Sequence, residues 1–236
     1  MVDIKNKRLV NYLQVILNKN IESISLTDLE KVKVVSFIGD ANEDNYYKID
    51  ISDINMFKNI EEVTISDSLV SLENIKTIFE NNIKKLTLYS CAIDDDNSLS
   101  LLTNIKYLNL SNSFIEKYDF LNKMNDLESL TIINPQASNK IDISLLKNMK
   151  NLSKLILEKC DITNFDELAN LNKVEYLDLI LSVISCDVVP IFNDMKSLSD
   201  LFITDIHNLD GLKKNINVRN SLIEYAFDKE ESKLII

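Results

Sequence analysis

Nine times along this chain an apolar residue is followed three, and then five, positions later by two more. In the stretch IKYLNLSNSFI these are Ile105, Leu108 and Leu110. The same spacing recurs at Val32/Val35/Phe37, Ile60/Val63/Ile65, Ile83/Leu86/Leu88, Leu127/Leu130/Ile132, Leu152/Leu155/Leu157, Val174/Leu177/Leu179, Leu198/Leu201/Ile203 and Leu222/Tyr225/Phe227. Successive first positions lie 28, 23, 22, 22, 25, 22, 24 and 24 residues apart. A period in the twenties means stacked coils, because one such unit cannot bury its own apolar side.

Positions four and six of each unit alternate inward on a short strand, and position eleven (Ile93, Ile115, Ile162, Ile184) brings the chain back over them. The return leg has a spacing of about three: Ile115, Tyr118, Leu121, Met124, Leu127 in one coil, and Ile162, Phe165, Leu168, Leu171, Val174 in another. That pattern suits short 3₁₀ or α turns with one edge turned inward. The predicted fold is α/β: a curved solenoid with a parallel β-sheet on its concave face, short 3₁₀/α turns on its convex face and an amino-terminal helical cap. In the cap, Leu9, Tyr12, Leu13, Ile16 and Leu17 share one helical face, and Thr27 with Glu30 has the spacing of a capping box. The predicted boundaries are a cap over 1–31, an array of about nine coils over 32–230 and a closing segment over 231–236, all in one continuous domain.

The segments ISDINMFKNIEEVTISD (51–67) and DITNFDELANLNKVEYLDL (161–179) resemble the 22-residue leucine-rich repeats of bacterial internalins and of the related phosphatase-regulatory subunits. IESISLTDLEKVKVVSF (21–37) resembles the internalin-type amino-terminal cap, and the likeness runs over roughly residues 20–230. The chain departs from the family's usual Asn at the ninth repeat position, where five coils carry Cys or Ser, and the signal peptide and wall anchor of surface internalins are not expected of it. The resemblance implies a leucine-rich-repeat protein that recognises another protein without enzymatic activity. The alternative it implies is a regulatory or targeting subunit of an enzyme such as a phosphatase.

Composition narrows the partner. The formal net charge of −11 argues against nucleic acid, whose binding depends on clustered Lys and Arg. No apolar run approaches the roughly 18 residues of a membrane span, so no membrane insertion is expected. Three cysteines at wide spacing suit a reducing compartment. The expectation is a cytoplasmic protein, or a secreted or surface one if a signal has been removed. Abundant Asn, Lys and Ile with only Arg8 and Arg219 as arginines points to an AT-rich, bacterial genome.

Residues able to carry chemistry are few. Cys91, Cys160, Ser68, Ser113 and Ser182 all fall at position nine, where a small polar group caps turn amides, so they are assigned a structural role. Three coils at about 4.8 Å each separate the two cysteines by roughly 14 Å, too far for a disulfide. Cys186 lies past a turn, and the single histidine, His207, has no cysteine near it in the repeat frame, so no catalytic residues are assigned. Asp94, Asp95 and Asp96 lack the spacing and glycine of a calcium loop. Neither metal nor cofactor is expected.

The surface left free by the repeat is the informative one. Positions three, five and seven point into the concave face. In the later coils they assemble Ile133, Ile156, Tyr176, Ile180 and Phe202 on an exposed sheet, with Glu158, Asp178, Asp200 and Lys154 around them. An apolar, aromatic centre within a charged surround is the composition of a protein-binding surface. Tyr89 and Tyr107 form a second, smaller candidate.

Overall fold

In a computed structural model of the chain, residues 2–39, 46–204 and 209–220 are described. Nine strands form one parallel sheet in chain order: Val34–Ile38, Glu62–Ser66, Lys85–Tyr89, Tyr107–Ser111, Ser129–Ile133, Lys154–Glu158, Tyr176–Leu179, Asp200–Ile203 and Asn217–Asn220. The register never slips over the first eight triplets. Val35 pairs with Val63, Leu86 with Leu108, Leu130 with Leu155, and Leu177 with Leu201, so position four meets position four throughout. Zero slip follows from the side-chain period of two, since a shift by one residue would turn every core residue outward. The residues at positions four and six are buried in all eight coils.

The ninth strand departs from the predicted spacing. Val218 pairs with Leu201 in the place expected of Tyr225. The return leg is shortened to turns around Asp210–Ile216, and Ile216 supplies buried apolar surface there. The triplet Leu222/Tyr225/Phe227, the closing segment 231–236 and His207 lie outside the described residues.

Return legs cross the opposite side as 3₁₀ turns Ser52–Met56, Asp96–Leu101, Asp119–Lys123, Ile143–Leu146 and Phe165–Asn170, with α-helical turns at Leu72–Glu80 and Val189–Asp194. All ten residues of the two return-leg patterns above are buried. Phe165 and Phe192 meet edge-to-face with ring centroids 5.7 Å apart, linking consecutive coils. The core is thus one column running the length of the array, and each coil is stabilised mainly by its two neighbours.

A helix, Lys7–Leu17, covers the start of the column, capped by the Asn6 side chain on the Leu9 N–H. Leu9 and Leu13 are buried, Tyr12 and Leu17 pack partly against the core, and Ile16, expected on the same face, is exposed. The helix also blunts the free edge of the first strand. Tyr12 Oη donates to the Val34 carbonyl at 3.2 Å, and the Arg8 guanidinium donates to the carbonyls of Ile38 and Gly39. The capping box sits two residues earlier than predicted: Ser25 and Asp28, not Thr27 and Glu30, satisfy each other's backbone N–H at the start of Leu26–Leu29. Asp28 wins because Lys19 Nζ also reaches it at 2.8 Å, an ion pair that the sequence spacing does not reveal.

Candidate functional site on the concave sheet face

Strands alternate buried and accessible residues, so positions three, five and seven are left to the open face. Over the first five coils the fifth position is small or polar: Ser36, Thr64, Thr87, Asn109, Thr131. From the sixth coil it changes to Ile156, Asp178, Phe202 and Arg219, which lie side by side across four strands. Tyr176 lies in the adjacent third-position row between Lys154 and Asp200.

These residues form a stack. The rings of Tyr176 and Phe202 lie 4.9 Å apart with 33° between their planes. Lys154 Nζ sits 4.8 Å over the Tyr176 ring, and the Arg219 guanidinium sits 5.2 Å over that of Phe202. A cation over an aromatic face is attracted by the ring quadrupole, so both rings are held in fixed orientation by neighbours from coils on either side. Arg219 escapes sequence reasoning because the ninth strand begins earlier than the triplet spacing suggests.

The structure brings Ile133, Ile156, Tyr176, Ile180 and Phe202 together, but half-buried instead of exposed. Each large side chain shields the next across the narrow strand spacing. Asp178 corrects the picture further: expected in the charged surround, it is 5% exposed and lies among Ile156, Phe202, Tyr176 and Ile180. Its Oδ1 accepts the Ile180 N–H at 3.1 Å, and among the described residues no cation reaches ion-pair distance, Lys154 acting on it only at longer range. Burial pushes the Asp178 carboxyl above its ordinary range. Burial, and then the charge of Asp178, push Glu158 up as well. Asp200, by contrast, is held low by hydrogen bonds from Ser199 and Asn217.

The tyrosines of the second candidate do not form one patch. Tyr89 and Tyr107 are exposed, but they occupy positions seven and three of adjacent strands, roughly 13 Å apart along the strand direction. Tyr107 Oη donates to Glu128 at 2.8 Å, and Tyr89 sits beside Ser111.

The ninth-position residues build a hydrogen-bonded column at the turn. Ser113 Oγ accepts the Cys91 N–H at 3.3 Å and donates to the Leu88 carbonyl at 3.1 Å. Ser182 Oγ accepts the Cys160 N–H at 3.0 Å and donates to the Leu157 carbonyl at 2.5 Å. Cys91 Sγ and Cys160 Sγ donate to the Ile65 and Ile132 carbonyls in the same fashion. Burial pushes both thiols up to about 12, so they remain protonated donors at neutral pH. The coil before Cys160 has Pro135 at this position, which has no N–H for the sulfur to accept. Cys186 is exposed, and none of the three is bridged.

The acidic run is occupied by local structure. Asp94 pairs with Lys48 at 3.3 Å, Asp95 caps the turn at Asn97, and Asp96 accepts the N–H groups of Glu116 and Lys117. Among the described residues no group of three or more potential metal-ligating side chains converges, and no helix is long and apolar enough to cross a membrane.

Comparison with solved structures gives 90% coverage of this chain, and 82% of the other, for internalin C2 of Listeria monocytogenes, with a TM-score of 0.53 at 21% identity. The chain has the leucine-rich-repeat fold. The plant peptide hormone receptor RGFR1 in complex with RGF2 matches over 80% of this chain and 35% of its own, with a TM-score of 0.53 at 15% identity. The TLR13–ssRNA13 complex matches over 84% and 37%, with a TM-score of 0.51 at 14% identity. This leucine-rich-repeat array therefore spans about a third of each of those two chains. No family model matches the sequence. No curated protein matches it either.

Proposed function

We propose that the array is a non-enzymatic recognition module that binds another protein through the concave face of coils five to eight. The observation that carries this reading is the Tyr176–Phe202 pair, clamped between Lys154 and Arg219 and bordered by Ile133, Ile156 and Ile180. Rigid aromatic anchors lose little rotamer freedom when a partner arrives, so more of the buried area appears as affinity. Glu158 and Asp200 border the same surface, Asp178 lies within it, and together they select a partner with basic groups. The names of the structural neighbours support the reading in kind, since one is a plant peptide hormone receptor in complex with RGF2. Tyr89 and Tyr107 are proposed as outlying contacts nearer the middle of the sheet.

The test begins with a partner recovered by co-purification. Phe202→Asp and Tyr176→Asp are each expected to weaken its binding by at least about tenfold, the loss of roughly 1.4 kcal/mol or more at an anchor residue. Unchanged binding in both variants would remove the site. Recovery of an enzyme whose turnover shifts on addition of this chain would favour the regulatory-subunit reading instead.

A further inference from the structure

We propose that Asp178 is the seat for a basic side chain, lysine or arginine, carried between apolar residues of an extended segment of the partner protein. The inference rests on the concave-face reading above and adds the chemistry of the partner. Asp178 is a carboxylate on the open face of the sheet, yet only 5% of it is exposed. Ile156 and Phe202 flank it across the ladder, and Tyr176 and Ile180 flank it along its own strand. It accepts one hydrogen bond, from the N–H two residues on, and among the described residues it has no salt bridge and no further donor. A buried carboxylate normally has a cation or several donors around it, because burial removes the hydration that otherwise stabilises its charge.

The charge in this setting is only partly compensated from within the fold. Glu158 lies on the neighbouring strand and feels Asp178, so two negative groups face the same surface. Lys154 attracts Asp178 and Lys159 attracts Glu158 at longer range, but Lys154 is held over the Tyr176 ring and among the described residues neither carboxylate has a cation at ion-pair distance. An incoming ammonium or guanidinium would find a local environment far less screened than water, where a charge pair at contact distance is worth several times more. Ile156 on one side and Phe202 on the other, with Ile180 two residues along the same strand, are only partly buried and fit apolar residues next to the basic one.

The experiment uses the full chain and soluble, capped seven-residue peptides that differ only at a central residue between two leucines: arginine, lysine or the neutral arginine isostere citrulline. Binding is followed by fluorescence anisotropy, and the Asp178 side-chain carboxyl carbon by NMR. The arginine and lysine peptides are expected to shift that resonance and to bind at least about tenfold tighter than citrulline. The preference should vanish in Asp178→Asn, which keeps an acceptor for the Ile180 N–H, and shrink in Glu158→Gln, with circular dichroism unchanged in both. Equal binding of the citrulline peptide, a charge preference that survives Asp178→Asn, or no binding by any peptide would overturn the seat. A natural partner that is lost with Phe202→Asp but kept with Asp178→Asn would overturn the seat alone and leave the recognition face standing.

Discussion

Asp178 shows how one side chain can oppose the fold it sits in. Its strand and register are legible in the sequence, as is its place on the open face, but its burial is not. That depends on Ile156 and Phe202 arriving from coils 22 and 24 residues away and flanking it on both sides. Because its folded-state affinity for a proton is raised by burial, the native chain holds that proton to higher pH than the unfolded chain does. Stability contributed through this group is therefore greatest at acidic pH and declines as pH rises above the ordinary value of 3.8 through the folded-state value. Glu158 is shifted in the same direction and adds to the decline. Asp178→Asn removes the charge while keeping the acceptor, so it should stabilise the protein at pH 7 by about 1 kcal/mol, the scale of an imperfectly satisfied buried polar group. Urea unfolding of both proteins between pH 4 and 8 should show the advantage growing with pH and then levelling off; an advantage independent of pH would mean that packing, not charge, accounts for it.

At the scale of the repeated element, the sequence makes the strand obvious and the turn after it only half visible. Apolar triplets mark strands because burial has a strict period there. Position nine is also readable, since Ser and Cys recur at it. Position eight, however, is where the backbone does something unusual: Asp67, Ser90, Asn112, Asn134, Lys159 and Leu181 all have positive φ, between 50° and 57°. Most of their N–H groups donate to the seventh-position carbonyl of the next coil, as Ser90 does to Ser111 and Asn112 to Ile133. The signal was present in the Asn and Asp residues that tolerate this conformation, and it was masked by Lys and Leu in the same slot. Gly39 holds the corresponding place in the first coil for another reason, since a Cβ there would collide with the Ser68 side chain and the Asp67 carbonyl. Lys159 and Leu181 are exposed, so changing them sacrifices no packing. Lys159→Asn and Leu181→Asn should each raise stability by about 0.5–1 kcal/mol through relief of the left-handed backbone. Thermal unfolding of the two single variants and the double checks this; gains that fail to appear would mean that the next coil's hydrogen bond alone holds the turn.

For the whole molecule, the apolar column and the excess of negative charge act against one another. The column was legible over the first eight coils because each repeats the same burial problem, whereas the ends were less so. The amino-terminal cap relies on Tyr12 and Arg8 reaching strand carbonyls some 22 to 31 residues away, which no local pattern encodes. With 26 basic and 37 acidic residues, the chain carries a net charge of −11 that the folded state compresses. Exposed pairs between coils, such as Lys33–Glu61 at 2.6 Å, Lys85–Glu62 at 2.9 Å and Lys106–Glu128 at 2.6 Å, oppose this repulsion. Each such pair contributes only about 0–1 kcal/mol and is itself weakened by salt. The general repulsion should therefore respond more than the pairs do when the screening length falls from about 10 Å at 0.1 M to roughly 3 Å at 1 M salt. The melting temperature is expected to rise between low and 0.5 M sodium chloride by about 2–4 °C, the shift that roughly 1 kcal/mol produces in a chain of this size. A melting temperature that falls across the same range would show that the inter-coil ion pairs outweigh the net charge. Salt should act in the opposite sense on a basic partner at Glu158 and Asp178, because the attraction that draws it to the concave face is screened while the array beneath becomes more stable.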